Sequence, residues 1–175
     1  AAIKYVRENN IPFLGICFGL QMAVIEYARH ICNLENANSI EADPQTCHPI
    51  IFLLPSQKGI TDMGGTLRLG AHDVIIKQNT QAYEMFGEKT RQRFRHRYEV
   101  NPKYIQQLEE KGLIFSGISQ DEDNVMQIIE IPSHPYFMAG QFHPELTSKL
   151  EQPHPMFFGL INAAIQRKDL NNSNI

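Results

Sequence analysis

Two short stretches carry residue types able to do covalent chemistry. The first is Gly15-Ile-Cys17-Phe-Gly19-Leu-Gln21, in which a thiol stands between two glycines. The second is Phe142-His143-Pro144-Glu145, in which an imidazole is followed two residues later by a carboxylate. A thiol needs a base to take its proton and to return one to a leaving group. A histidine whose tautomer is held by an acid is suited to that exchange. Nucleophilic attack on a carbonyl carbon is the chemistry these residues could perform together.

The elements that would hold them follow from hydrophobic spacing. Residues 11–16 are a short apolar run, read as a buried strand, and Met22, Ile25, Ala28 and Ile31 then recur at helical spacing from Phe18 onward. Cys17 thus sits at a strand-to-helix elbow, where a nucleophile projects from the carboxyl edge of a sheet. Gly15 and Gly19 allow a tight turn and close helix packing. The helix amino terminus is expected to lower the thiol pKa. A cysteine beside an apolar run is more commonly a small buried hydrophobe, but a core cysteine would not need glycine on both sides. His143 and Glu145 fall at the end of a strand over residues 136–142. A turn at Pro144 would let the carboxylate reach the imidazole. A lone His-x-Glu is a weak signal, strengthened here by the cysteine elbow. His96 lies in a basic run, and His134 and His154 sit beside prolines.

The remaining chain reads as one domain with alternating elements. Helices are expected over residues 1–9, over residues 81–86 capped by Thr80, from Pro102 to Gly112, and over residues 155–167 with Phe158, Ile161 and Ile165 in phase. Strands are expected over residues 50–54, as two short strands around Gly70 within residues 66–76, and over residues 113–118 and 125–131, the last two joined by an acidic turn at 120–124. Residues 33–48 read as a loop, Arg91 to Val100 as a basic segment, and 168–175 as a disordered tail. Gly64-Gly65 lacks the GxxxxGK[ST] pattern of a phosphate loop and reads as a tight turn. The fold class is α/β, a mostly parallel sheet flanked by helices with an antiparallel portion. Ala1 begins in what reads as helix interior, so the chain is expected to be amino-terminally incomplete.

Composition narrows the function classes. The 175 residues suffice for one hydrophobic core, and a net charge of −3 gives no indication of nucleic acid. No run approaches the roughly 18 apolar residues of a membrane span. Cys17, Cys32 and Cys47 are an odd number without CxxC, which argues for a reducing, cytoplasmic setting rather than a disulfide framework. The seven histidines form neither HxxxH nor HExxH, so no metal is expected.

The two motifs together resemble the triad-type (class I) glutamine amidotransferases, whose fold is flavodoxin-like. Three further runs, Glu35-Asn-Ala-Asn-Ser-Ile-Glu41, Asp62-Met-Gly-Gly-Thr-Leu-Arg-Leu-Gly70 and Arg95-His-Arg-Tyr-Glu-Val-Asn101, are similar to the amidotransferase domains of the CTP synthase family. The resemblance implies Cys17 as nucleophile, His143 as proton carrier and Glu145 as its orienting acid. It implies glutamine binding by Phe18, through its backbone, and by Gln21, Glu41 and Arg97. Taken alone, Arg97 would be read as part of a solvated stripe, Glu41 as a loop charge and Gln21 as an exposed helix residue. The family commonly has Leu where Phe18 stands and Met where Leu20 stands. Its Gly-Gly-Phe-Gly loop, a second oxyanion donor, would precede residue 1. Also implied are no cofactor in this chain, ATP and Mg2+ in a separate synthetase domain, GTP as activator, and a cytoplasmic homotetramer. Two other readings stay open. One is a glutaminase or γ-glutamyl peptidase serving another acceptor; the other is a catalytically silent structural or regulatory module.

Overall fold

The computed structural model describes residues 1–53, 68–120 and 125–172. Helix α1 (Ala2–Glu8) leads into strand β1 (Phe13–Ile16), and helix α2 (Phe18–His30) follows after the single residue Cys17. Strands β2 (Asn38–Ser39) and β3 (Pro49–Phe52) come next, then β4 (Arg68–Ile76), helix α3 (Gln81–Phe86), β5 (Lys89–His96) and β6 (Glu99–Val100). A 3-10 turn at Pro102–Tyr104 opens helix α4 (Ile105–Glu110), followed by β7 (Ile114–Ser119), β8 (Met126–Glu130), β9 (Phe137–Gly140), a 3-10 turn at Pro144–Leu146 and helix α5 (Pro155–Asn172).

Six strands form one sheet in the order β1-β9-β8-β7-β4-β5, and β2-β3-β6 form a small second sheet. The α/β class is as expected, but the proportion of parallel pairing is not. Only β1 and β9 run parallel in the large sheet; its four other pairings are antiparallel. The parallel pair is the one that matters for chemistry. Its register sets Ile16 opposite Gly140, so residues 17 and 141–143 leave the sheet side by side at one carboxyl edge.

The sheet also curls. β1 and β5 stand at opposite ends of the strand order. Yet the Cys17 sulfur lies 3.9 Å from the Arg95 carbonyl, and the His143 amide donates to the Arg93 carbonyl at 2.8 Å. Strand twist accumulating across six strands brings the two edges together.

Helices cover both faces. On one, Leu20, Val24 and Ile25 of α2 pack with Ile50, Ile51, Phe115, Ile129 and Phe137. On the other, Met156 and Ala163 of α5 and Ala82 of α3 pack against Val74, Phe94, Ile128, Met138 and Phe142. The Glu130 carboxylate accepts from the Gln81 and Ala82 amides at 2.9 and 3.0 Å, and the Thr80 hydroxyl accepts from Tyr83 at 3.1 Å. Three of the orphan donors at the start of α3 are thereby satisfied.

Several elements differ from the sequence reading. β4 is one strand rather than two: Gly70 takes a left-handed φ of 89° inside it, yet pairing with β5 is unbroken from Arg68 to Ile75. Eight successive backbone partners hold the kink in line. The loop at 33–48 contains β2. The basic segment is largely β5, with Arg91, Arg93 and Arg95 exposed and Gln92, Phe94 and His96 buried. α5 continues to Asn172, beyond residue 167, so 168–172 are helical where a tail was expected. Its inward stripe also differs: Phe158, Ile161 and Ile165 are exposed. Gly159 faces inward instead, where a Cβ would stand 2.7 Å from the Tyr136 ring. The Gly64-Gly65 turn, Leu54, most of the Asp62 to Gly70 run and the turn at 121–124 lie outside the described residues.

Candidate active site

Cys17 adopts φ 50° and ψ −102°, a left-handed conformation that costs an L-residue of this kind about 1–3 kcal/mol. Three features hold it there. Its amide donates to the Gly140 carbonyl at 2.8 Å, continuing the β1–β9 ladder by one bond. The α2 helix begins immediately, with the Leu20 amide returning to the Cys17 carbonyl at 3.0 Å. Gly15 permits the close approach: a Cβ there would lie 2.8 Å from Ala139 and 2.9 Å from the Gly19 backbone. Gly19 has a different role from the one expected, because a Cβ on it would meet open space. Its backbone, not its missing side chain, is what Gly15 accommodates.

The environment of the sulfur pulls both ways. Burial pushes the Cys17 thiol pKa up, and the Glu145 and Glu99 carboxylates add to this; the Phe18 amide and the Gln141 side chain pull it down. The net direction is upward. Helix-terminus activation, expected from sequence, is outweighed by desolvation in the resting site. A thiol in this setting would need a base to become a nucleophile.

His143 is held in a defined tautomer. The turn at Pro144 swings Glu145 back, so that His143 Nδ1 and Glu145 Oε1 lie 2.6 Å apart. The carboxylate accepts the Nδ1 proton, which leaves Nε2 of the neutral ring as the basic atom. That Nε2 is buried and has no hydrogen-bond partner within the described residues.

Beside Cys17 lies a cleft of about 330 Å3, lined by Cys17, Phe18, Gln21, Glu41, Arg95, His96, Arg97 and Tyr98. All four residues expected to contact substrate are among these. Glu41 comes from the turn that follows β2, where its amide donates to the Ser39 hydroxyl at 3.2 Å. Arg97 and Tyr98 come from the link between β5 and β6. Gln21 is 4% exposed, not on an open helix face. Its Nε2 donates to the Tyr98 carbonyl at 3.0 Å and to Gln141 Oε1 at 3.3 Å. Both amide hydrogens are then used, so Gln21 offers the cleft an acceptor oxygen only. His143 and Glu145 do not line the cleft; they follow the end of β9, the strand paired with the one that ends at Cys17.

Sequence reasoning missed Gln141, His96, Tyr98 and Glu99. Burial holds His96 neutral, with a pKa lowered to about 3, and its Nδ1 lies 3.2 Å from Glu99 Oε1. Alternation along β5 would have put His96 on the inner face with Phe94. Gln141 carried no such signal. Among the described residues, no group of three or more His, Cys, Asp and Glu side chains could hold a metal ion, and no helix is long and apolar enough to cross a membrane.

Comparison with known proteins shows the family and the fold. The CTP synthase of Thermococcus kodakarensis is 53% identical over 168 residues, which make up 95% of this chain and 32% of that protein. That of Archaeoglobus fulgidus is 55% identical over 166 residues, 94% of this chain and 31% of that protein. The chain thus spans about a third of the length of the relatives it matches. Among solved structures, the glutaminase domain of Trypanosoma brucei CTPS with bound acivicin superposes with a TM-score of 0.88 at 32% identity, over 94% of this chain and 64% of that one. A Thermoplasma acidophilum protein described as a GMP synthase component shares the fold, with a TM-score of 0.60 at 16% identity, over 98% of this chain and 66% of that one. The family model described as glutamine amidotransferase class-I matches residues 1–163, and the chain belongs to that family.

Proposed function

We propose that this chain is the glutaminase part of a CTP synthase and hydrolyses L-glutamine through Cys17, His143 and Glu145. The observation that carries the reading is convergence. A thiol on a strained elbow, a histidine with a fixed tautomer, and a cleft lined by a carboxylate, two arginines and an amide side chain meet at one sheet edge. Free glutamine offers the complementary groups. Its α-carboxylate suits Arg97 and its α-ammonium suits Glu41, both through charge-assisted hydrogen bonds.

The chemistry follows from those positions. His143 Nε2 takes the Cys17 proton as sulfur attacks the side-chain amide carbon. The Phe18 amide donates to the oxygen that gains charge in the tetrahedral intermediate. Collapse breaks the C–N bond, His143 returns its proton to the departing nitrogen, and ammonia leaves a glutamyl thioester. Water, activated by the same Nε2, then releases glutamate and restores the thiol.

In the whole protein, the ammonia would pass to a synthetase domain that uses ATP and Mg2+ to convert UTP into CTP, in a homotetramer activated by GTP. Similarity to CTP synthases over about a third of their length supports that assignment.

The test is reaction with acivicin, the glutamine analogue carried by the Trypanosoma brucei domain, read by intact mass and peptide mapping. Labelling confined to Cys17, blocked by excess glutamine and lost in Cys17→Ala, is expected. A folded protein that neither labels nor releases glutamate from glutamine would overturn the reading.

A further inference from the structure

Three amide groups in the site form a chain whose direction is fixed at one end. The Tyr98 carbonyl is an acceptor and nothing else, so the Gln21 group 3.0 Å away must be the NH2 end of its amide. The second hydrogen of that NH2 points at Gln141, 3.3 Å away, which must answer with its carbonyl oxygen. The remaining end of Gln141, its own NH2, then faces the Cys17 sulfur at 3.6 Å. Gln141 is fully buried and cannot exchange this arrangement for water. Its backbone is fixed as well, since its amide donates to the Gln127 carbonyl at 2.9 Å, and the neighbouring Phe142 is fully buried.

From this chain of contacts we infer that Gln141 is a further catalytic residue: its side-chain N–H donates to the Cys17 thiolate, and the Tyr98 carbonyl enforces that direction through Gln21. The inference rests on Cys17 being the nucleophile. A donor aimed at sulfur favours S⁻ over S–H and holds the anion toward the cleft, while His143 carries the proton away. Gln21 thereby has two functions at once: it presents an acceptor to the substrate and prevents Gln141 from turning its carbonyl against the sulfur.

A hydrogen bond to a charged group of this kind changes the thiolate fraction by roughly ten- to a hundredfold, or about 1 to 2 pH units in the ionisation midpoint of the thiol. The experiment is the pH dependence of Cys17 alkylation by iodoacetamide, followed at that residue by peptide mass spectrometry. Gln141→Met keeps the length and removes the donor, and its midpoint should rise by about one unit. Gln141→Glu offers only acceptors, and its midpoint should rise further. Gln21→Met, which does not touch the sulfur, should also raise the midpoint by freeing Gln141 to turn. An unchanged midpoint in folded Gln141→Met overturns the donor; an unchanged midpoint in folded Gln21→Met overturns the enforced direction.

A second measurement needs no change at Gln141. In wild-type protein, the side-chain amide 15N resonance of Gln141 should move with the same midpoint as Cys17 alkylation, and stay still in Cys17→Ala. A resonance indifferent to the Cys17 titration overturns the inference even if every variant unfolds. None of these readouts requires glutamine turnover. A chain that shows the shift but never hydrolyses glutamine would refute the glutaminase reading and leave the donor standing.

Discussion

His143 Nδ1 and Glu145 Oε1 are 2.6 Å apart, and the contact is made by a backbone turn rather than by a strand face. Two residues apart on a strand would only place the side chains parallel; the 3-10 turn beginning at Pro144 folds the carboxylate back onto the ring. The carboxylate decides which ring nitrogen is basic. Glu145→Gln offers an NH2 as readily as a carbonyl, so the ring loses its preference for the useful tautomer. Glutamate release should fall by about 10²- to 10⁴-fold with little change in KM, as for loss of a general base. Because Glu145 is half exposed, a value near the lower end is expected. Single-turnover acylation should slow by the same factor, which steady-state kinetics paired with rapid quench would read directly. A variant of unchanged rate would leave Glu145 no part in the proton transfer.

Gly15→Ala should damage both fold and site. The added Cβ would stand 2.8 Å from the Ala139 Cβ and 2.9 Å from the Gly19 carbonyl carbon, with no flexible side chain able to yield. Overpacking of this kind costs roughly 1–3 kcal/mol. Separation of β1 from α2 also displaces the residue between them, Cys17. A lower urea midpoint together with lost acivicin labelling is expected; Gly19→Ala, which meets open space, should keep most of its stability.

Arg97→Lys should separate binding from chemistry. Lysine keeps a positive charge but loses the planar fork that grips a carboxylate. KM for glutamine should rise about 10- to 100-fold, as for one charged hydrogen bond, while kcat changes much less. Steady-state kinetics with glutamine, and with an analogue lacking the α-carboxylate, would check it. The difference between wild type and variant should vanish for the analogue.

The candidate catalytic groups were legible because each depends on local sequence. The elbow shows as a switch from apolar run to helical period at Cys17, and Glu145 follows His143 around a proline. Gln141 was not legible, because its value comes from a contact across 124 residues. Nothing near it in the chain distinguishes it from any buried glutamine. The curl of the sheet, which brings Arg95 to the sulfur, is likewise a sum of small twists with no sequence mark. In α5, helical spacing selected Phe158, Ile161 and Ile165 as the inward stripe, and spacing alone carries no sign of which face has room. The apolar stripe with Phe158, Ile161 and Ile165 faces out because Tyr136 requires the space that only Gly159 leaves. β5 was hidden by its composition: three exposed arginines obscured the alternation with Gln92, Phe94 and His96.

Arg7 and Glu26 tie α1 to α2. The guanidinium donates from Nε at 3.0 Å and from NH2 at 2.8 Å to the two carboxylate oxygens, and both side chains are nearly buried. The Glu26 hydrogen bond raises the Arg7 pKa, so the pair is charged on both sides. Glu26→Ala would leave the cation only the half-exposed Glu8 carboxylate, 3.5 Å away, at a cost of up to about 3 kcal/mol. The loss should be visible as a lower urea midpoint that added salt does not restore. Replacing both residues, Arg7→Met with Glu26→Leu, should recover most of it, since the uncompensated charge is then gone. A double variant as unstable as the single one would show that the packing of the stems, not the charge, is what matters.

His154 makes stability fall in acid. Burial lowers its folded pKa to about 4, from an ordinary value of 6.5. The Met156 amide donates to its Nδ1 at 3.3 Å, so the neutral ring carries its proton on Nε2, 3.2 Å from Gln92 Oε1. A second proton would have to displace the Met156 amide. The unfolded chain therefore binds a proton first, and stability is intact above about pH 6.5 and drains as pH falls toward 4. The loss from this residue approaches about 3 kcal/mol, an order-of-magnitude figure from the shift. Below the folded pKa both states are protonated and the slope contributed by His154 disappears. His154→Gln removes the titration altogether. It should be less stable than wild type at about pH 7, yet lose less stability between about pH 6.5 and 4, so the two urea-derived curves converge. Parallel curves would mean that His154 is protonated in the folded protein as easily as in the unfolded one.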